Sequence, residues 1–166
     1  MNQIQNHTTL IELQQLYSLI LSGNCMGKLL GIFTSNGGVP KTPVNSVYVQ
    51  FEGISGDDQN DKKHHGGIMR AICVLENELL EKLQSEGHPI MPGSTGENLL
   101  VEGFNLTLGS KFSIDTVELE VVSAATPCKT ISKSFTDGFF NRISNKKYPG
   151  ETRWYCRVLK EGSIRI

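Results

Sequence analysis

From Gly27 onward the chain is written in short alternating runs broken by glycine- and proline-bearing turns, and this texture constrains the fold more than any other feature. Ser46 to Phe51 places Val47, Val49 and Phe51 on one face and Ser46, Tyr48 and Gln50 on the other. Val117 to Val122 sets Val117, Leu119 and Val121 opposite Glu118 and Glu120. Leu106, Leu108, Phe112 and Ile114 alternate around Gly109-Ser110, and Lys28 to Thr34 and Trp154 to Leu159 read as further strands. Successive side chains of a strand point to opposite faces, so each run predicts a strand with one buried side. Asn36-Gly37-Gly38-Val39-Pro40 and Glu161-Gly162 are turns. Against this background one stretch has helical spacing: Ile68, Ala71, Ile72, Leu75, Leu79 and Leu83, with Gly87 as its stop and Pro89 and Pro92 beyond. Residues 129–143 are also predicted helical, with Ile131, Phe135, Phe139, Phe140 and Ile143 apolar. The pattern predicts a mostly β protein, a small β-barrel with a central helix and helical decoration.

At 166 residues the chain fits one domain able to form its core without metal or disulfide staples. Residues 1–26 are set apart as an N-terminal helical extension, and residues 27–166 as the β-barrel domain. In the extension, Thr9 and Glu12 fit a capping box. Leu10, Leu13, Leu16, Tyr17, Ile20 and Leu21 then make one apolar face, and Gly23-Asn24 ends it. Such a face packs on its own domain or on another subunit. Leu19 to Cys25 superficially resembles a lipoprotein cleavage site. However, Asn24 separates Gly23 from Cys25, and no Lys or Arg precedes the apolar run. The expectation is therefore no signal peptide, no membrane span and a cytoplasmic protein. With 16 Lys plus Arg against 17 Asp plus Glu, the net charge of −1 supplies no general field for nucleic acid or anionic membrane. The 4 cysteines, at 25, 73, 128 and 156, form no Cys-x-x-Cys pair, which argues against zinc ribbons and thioredoxin-like motifs and for free thiols.

Two stretches carry most of the chemistry. Gly56 to Ala71 holds Asp57, Asp58, Asp61, His64, His65, the Gly66-Gly67 pair and Arg70 before the predicted helix. Histidine titrates near neutrality, and a helix N-terminus presents amides that attract anions. Arg70 in a first helical turn is unfavourable beside the helix dipole unless a bound anion or a nearby carboxylate offsets it. The second stretch is Pro127-Cys128-Lys129. A cation beside a cysteine favours thiolate, the form that attacks, carries sulfur or binds soft metals. The competing reading of Cys128 is a small buried hydrophobe, the role expected for Cys25, Cys73 and Cys156.

Together these parts resemble the signatures of the MOSC family, domains similar to the C-terminal part of molybdenum cofactor sulfurases. Gly56-Asp57-x-Gln59-x-Asp61, His65-Gly66-Gly67 and Arg70-Ala71 look like its first signature. Gly96-Glu97-Asn98-Leu99 with Gly103 looks like the second. Leu108-Gly109, Val121 and Pro127-Cys128 look like the third, which carries the family's functional cysteine. Tyr155 with Arg157-Val158-Leu159 and Gly162 is similar to the closing strand. The chain departs from the family pattern at Met69, Asp115, Thr126 and Arg153.

The resemblance implies a β-rich barrel and a role in sulfur and molybdenum chemistry, in one of two forms. In one, the domain binds the pterin-based molybdenum cofactor with Cys128 as metal ligand. It then acts on a small-molecule substrate, reducing N-hydroxylated compounds with an electron-transfer partner. In the other, Cys128 carries a persulfide received from a pyridoxal-phosphate-dependent cysteine desulfurase. The resemblance implies His65, Gly66, Gly67 and Arg70 as holders of the cofactor's phosphate. Asp57, Gln59, Asp61, Glu97 and Asn98 either bond the pterin or satisfy the turns around them. The alternative in a different class is a binding module that keeps the barrel without sulfur or molybdenum chemistry.

Overall fold

The computed structural model describes residues 27–57 and 67–166. The N-terminal helical extension expected over 1–26 lies outside the described residues, as do Asp58, Gln59, Asp61, His64, His65 and Gly66. The protein is mostly β. In chain order the elements are β1 (Lys28–Thr34), β2 (Thr42–Val44), β3 (Ser46–Gln50), β4 (Gly53–Ile54), β5 (Ile72–Glu76), α1 (Asn77–Ser85), β6 (Leu99–Glu102), β7 (Lys111–Ile114), β8 (Val117–Ala124), β9 (Trp154–Lys160) and β10 (Gly162–Arg165). Seven strands form one sheet in the order β2-β1-β6-β5-β9-β8-β7, and three form a second, β10-β3-β4. All pairings are antiparallel except β5 with β6. Among the described residues the larger sheet does not close by hydrogen bonds into a ring; β2 and β7 are its edges.

Two cores lie on opposite faces of the large sheet. One is roofed by the small sheet: Val49, Ile54 and Ile164 meet Ile32, Ile72, Val74, Leu99, Val121 and Val158. The other is roofed by α1 and the segment after β8: Leu79, Leu80 and Leu83 meet Leu75, Leu100, Ile131, Phe135 and Ile143. β1, β3, β8 and β9 lie where the alternation puts them. In β3 Val49 is buried while Ser46, Tyr48 and Gln50 are exposed.

The long helix expected from Ile68 is not one. Ile68–Arg70 is a single 3₁₀ turn, Ile72–Glu76 is strand β5, and only Asn77–Ser85 is α-helical. The reason is burial on both faces. Ile72 and Val74 point into the first core and Leu75 into the second, so a continuous apolar run carries no period-two signal. Its overlap with Leu79 and Leu83 mimics a helical stripe. Cys73, expected in a helix, is therefore a strand residue, and Arg70 stands at no α-helix N-terminus.

Residues 129–143 also depart from the expected helix. They form three separate 3₁₀ segments, Lys129–Ser134, Thr136–Gly138 and Phe140–Ile143. Asp137 (φ 54°) and Gly138 (φ 67°) take left-handed backbone conformations, which no α-helix accommodates. β10, the strand after the Glu161-Gly162 turn, was not foreseen. It is a short edge strand with only Ile164 buried.

Candidate functional site

The middle of the large sheet brings the chemistry-bearing segments together. β5 and β9 pair with Cys73 opposite Tyr155, and β8 pairs with β9 with Ser123 opposite Tyr155. Cys73, Ala125 and Tyr155 form a small buried cluster of their own. Arg70 lies just before β5, and Pro127-Cys128 just after β8, so both flank Tyr155 in the chain's path. The Arg70 guanidinium carbon stands 5.6 Å from the centre of the Tyr155 ring, a cation–π contact. Tyr155 is buried, and that burial is the first cause pushing its phenol up to about 12. The neighbouring thiols Cys73 and Cys128 act in the same direction, while Arg153 and Arg70 oppose it.

Cys128 has an extended backbone and precedes the Lys129–Ser134 turn. Its Sγ lies 2.8 Å from Thr130 Oγ1, a hydrogen bond in which either group can be the donor. Cys128 is partly exposed, whereas Cys73 and Cys156 are buried. Burial pushes both buried thiols well up, in Cys73 against the pull of the Arg153 charge. Of the described cysteines, only Cys128 offers a sulfur to solvent. Where the sequence predicts an α-helix over residues 129–143, Cys128 instead precedes a six-residue 3₁₀ segment, Lys129–Ser134.

Behind this surface lies a buried polar network. The Asp57 side chain is 3% exposed and that of Lys41 8%, and the Lys41 ammonium donates to Asp57 Oδ2. Asp57 Oδ2 also accepts from Asn98 Nδ2 at 2.8 Å, and Oδ1 accepts from the Ser35 N–H at 2.8 Å. Asn98 Oδ1 accepts from the Cys73 N–H at 3.0 Å, and Nδ2 also donates to Phe33 O at 3.3 Å. Asn98 thus ties β1 to β5 with its side chain, and Asp57 ties the β4 exit to both. Glu97 is fully buried; its carboxylate accepts from the Gly93 N–H at 2.5 Å and from Thr95 Oγ1 at 2.7 Å. Arg153, also buried, donates through Nη1 to Thr95 O.

The structure therefore divides the residues singled out from sequence. Cys128 and Arg70 are at the surface beside Tyr155. Asp57, Glu97 and Asn98 bond backbone groups, Lys41, Thr95 and one another, an arrangement that satisfies the turns around them. Gly67 is exposed in a left-handed conformation at the entry to the Ile68–Arg70 turn. Gln59, Asp61, His65 and Gly66 lie outside the described residues. Sequence reasoning missed Lys41, Thr95, Thr130, Arg153 and the stacking of Arg70 on Tyr155. Arg153 had a readable signal, a cation directly before a strongly apolar strand. Lys41 had none, since its partner is 16 residues away.

Comparisons with known proteins agree with this architecture. A family model described as MOSC domain matches residues 61–166. YflK of Bacillus subtilis (strain 168) is 32% identical over 134 residues, covering 76% of this chain and 59% of that protein. YiiM of Escherichia coli (strain K12) is 24% identical over 119 residues, covering 68% of this chain and 52% of that protein. The chain thus spans between half and three-fifths of the length of these curated relatives. Among solved structures, YiiM from Geobacillus stearothermophilus superposes with a TM-score of 0.60 at 24% identity, covering 84% of this chain and 71% of that one. The YUAD protein from Bacillus subtilis superposes with a TM-score of 0.62 at 17% identity, covering 84% and 94% respectively. At these identities the structural likeness shows the fold.

Proposed function

As this chain belongs to the MOSC domain family, we propose that it binds the pterin-based molybdenum cofactor and that Cys128 is its protein ligand to the metal. The observation carrying this reading is the thiol set: of the three described cysteines, Cys128 alone is not buried. A thiolate is a fitting donor for a soft metal. Among the described residues no group of three His, Cys, Asp or Glu side chains is placed to hold a metal ion. A metal at this sulfur would take its remaining donors from the cofactor's own organic ligand. That donor set suits a metal delivered inside a cofactor.

Arg70, exposed at the site's edge, would hold the cofactor's phosphate as a charge-assisted donor. His65, Gly66 and Gly67 precede it in sequence and would contribute to the same seat, with Gln59 and Asp61 toward the pterin. When bound, the cofactor supplies the redox chemistry. The chain's part is to present the Cys128 sulfur, wall one side with the Tyr155 ring and keep the loops in register through Asp57, Asn98 and Glu97. The sequence contains no flavin or iron–sulfur signature. Reduction of an N-hydroxylated small molecule would accordingly draw electrons from a partner protein. Among the described residues no helix is long and apolar enough to cross a membrane.

The test is elemental analysis for molybdenum, with fluorescence of released pterin, on protein made in a cofactor-competent host. Near-stoichiometric metal that is lost in Cys128→Ser is the expected result. Folded wild-type protein without metal overturns it. In that event, sulfur added to Cys128 by a cysteine desulfurase would move the thiol to persulfide carriage, and neither metal nor added sulfur would leave a binding module.

A further inference from the structure

We propose that Thr130 is the positioning residue of the Cys128 sulfur: its hydroxyl fixes where Sγ sits and is the hydrogen-bond donor to that atom once the thiol has lost its proton. The contact is direct, with Thr130 Oγ1 2.8 Å from Cys128 Sγ. Thr130 is exposed and Cys128 partly so, but the backbone that carries them is held on either side. Pro127 is buried just before the pair, and Ile131 is buried in the second core just after it. The Ile131 N–H donates to Cys128 O at 3.2 Å, which closes the turn across both residues. Threonine is branched at Cβ and has few χ1 wells, so a fixed backbone also limits where its hydroxyl can point.

Between a neutral thiol and a hydroxyl either group can donate. A thiolate carries no proton, and neither does a sulfur bound to a metal, so in those states the bond persists only with the hydroxyl as donor. Donation to a charged acceptor is the stronger kind. In general it favours the ionised form of a thiol, and it also draws charge from the sulfur, which lowers the nucleophilicity of each thiolate. Thr130 would thus hold the sulfur in place and temper what it donates to a metal or an electrophile. Lys129, next in the chain, and the Tyr155 phenol, within electrostatic reach of Cys128, are the charged and titratable neighbours. Both are present in every variant compared below, so their effect cancels. The inference rests on the preceding reading, in which Cys128 is the working thiol, and adds a residue that acts through it; its test does not require molybdenum.

The test follows alkylation of Cys128 by iodoacetamide, a neutral reagent, as a function of pH. The full chain is made without cofactor, and the Cys128 peptide is read by mass spectrometry. In the reaction the thiolate sulfur displaces iodide and a thioether forms. Thr130→Val keeps the branched shape and removes the hydroxyl, whereas Thr130→Ser keeps the hydroxyl. One hydrogen bond to a charged group changes the ionised fraction by about tenfold, and the change in nucleophilicity returns about the square root of that. The expected result for Thr130→Val is a rate that falls about threefold near neutrality and rises about threefold in alkaline solution, where the thiol is fully ionised. The two pH profiles therefore cross, and Thr130→Ser follows wild type. A turn that was merely loosened would move the rate in one direction at both ends of the range. Residue 130 is exposed, so neither substitution disturbs a core. A Thr130→Val profile that coincides with wild type or departs from it in one direction throughout, or a Thr130→Ser profile that matches Thr130→Val, overturns the proposal. Crossing profiles in protein that never loads molybdenum would refute only the cofactor reading, and molybdenum loading without a crossing would refute only the role of Thr130.

Discussion

Replacing Asp57 by Asn separates a buttressing role from a ligand-contacting one. The substitution preserves shape and leaves one oxygen able to accept from the Ser35 N–H. It removes the charge facing Lys41 and presents an amide NH₂ to two donors, the Lys41 ammonium and Asn98 Nδ2. With side chains only 3% and 8% exposed, the Asp57–Lys41 pair is shielded from water. Breaking one half of a buried pair costs about 3–5 kcal/mol, because the remaining charge is left without compensation. Retention of the Ser35 bond places the expected loss at the lower end, about 3 kcal/mol. For a chain of this length that corresponds to a drop of about 6–12 °C in Tm. The assay is urea unfolding of Asp57→Asn, Lys41→Met and the double variant. Removing the cation together with the carboxylate spares the uncompensated charge, so the double variant should be more stable than the sum of the singles by about 1.5 kcal/mol or more. A loss under about 1 kcal/mol for Asp57→Asn, or strict additivity, would refute the argument. It would return Asp57 to the list of ligand-facing residues.

Two further outcomes follow from features away from the thiol. Arg142 clamps the segment after Cys128 onto α1, with Nε 2.7 Å from Glu86 Oε2 and Nη2 2.6 Å from both Glu86 Oε1 and Glu151 Oε2. The Arg142 bond holds the Glu86 carboxyl below its ordinary value of 4.5, and the Lys82 bond leads the same effect at Glu151, with Arg142 adding to it. Groups with lowered folded values stabilise above the ordinary value and lose that contribution as pH falls through the folded one. Glu76, raised by burial, acts with the opposite sign in both proteins and cancels in a comparison. The stability difference between wild type and Arg142→Met should therefore be largest near neutrality and shrink on acidification below 4.5; a difference constant down to strong acid would sink the clamp. Gly93 and Gly67 share left-handed backbones, φ 80° and 79°, but not surroundings. A Cβ on Gly93 would stand 2.5 Å from Lys41 O and 2.9 Å from Phe33 Cδ1, whereas at Gly67 nothing among the described residues lies within 4 Å. Thermal unfolding should show Gly67→Ala losing about 1 kcal/mol and Gly93→Ala about 2–4 kcal/mol, and equal losses would contradict the close approach.

How much was legible in the sequence depended on whether a segment buries one face or two. β1, β3, β8 and β9 were readable because in each the apolar residues alternate or run unbroken between clear turns. β5 was not. Its two faces enter different cores, so Ile72 to Leu75 lost the alternation that marks a strand and joined Leu79 and Leu83 in a false helical period. The segment after Cys128 was misread because its left-handed residues, Asp137 and Gly138, are a backbone fact that composition only hints at.

The sequence by itself determined the mostly β character and the family, because periodicity and ordered motifs are local properties that survive without coordinates. Only the tertiary structure decided which groups the described motif residues bond. Asp57 reaches Asn98 across 41 positions, and Asn98 reaches Cys73 across 25, so their commitment to holding loops and strands together depends on how the sheets fold over one another. In the same way Arg70 and Cys128 flank one tyrosine only because β5 and β8 both pair with β9. Local sequence carries the kinds of side chain available to a site, while strand register sets which of them meet.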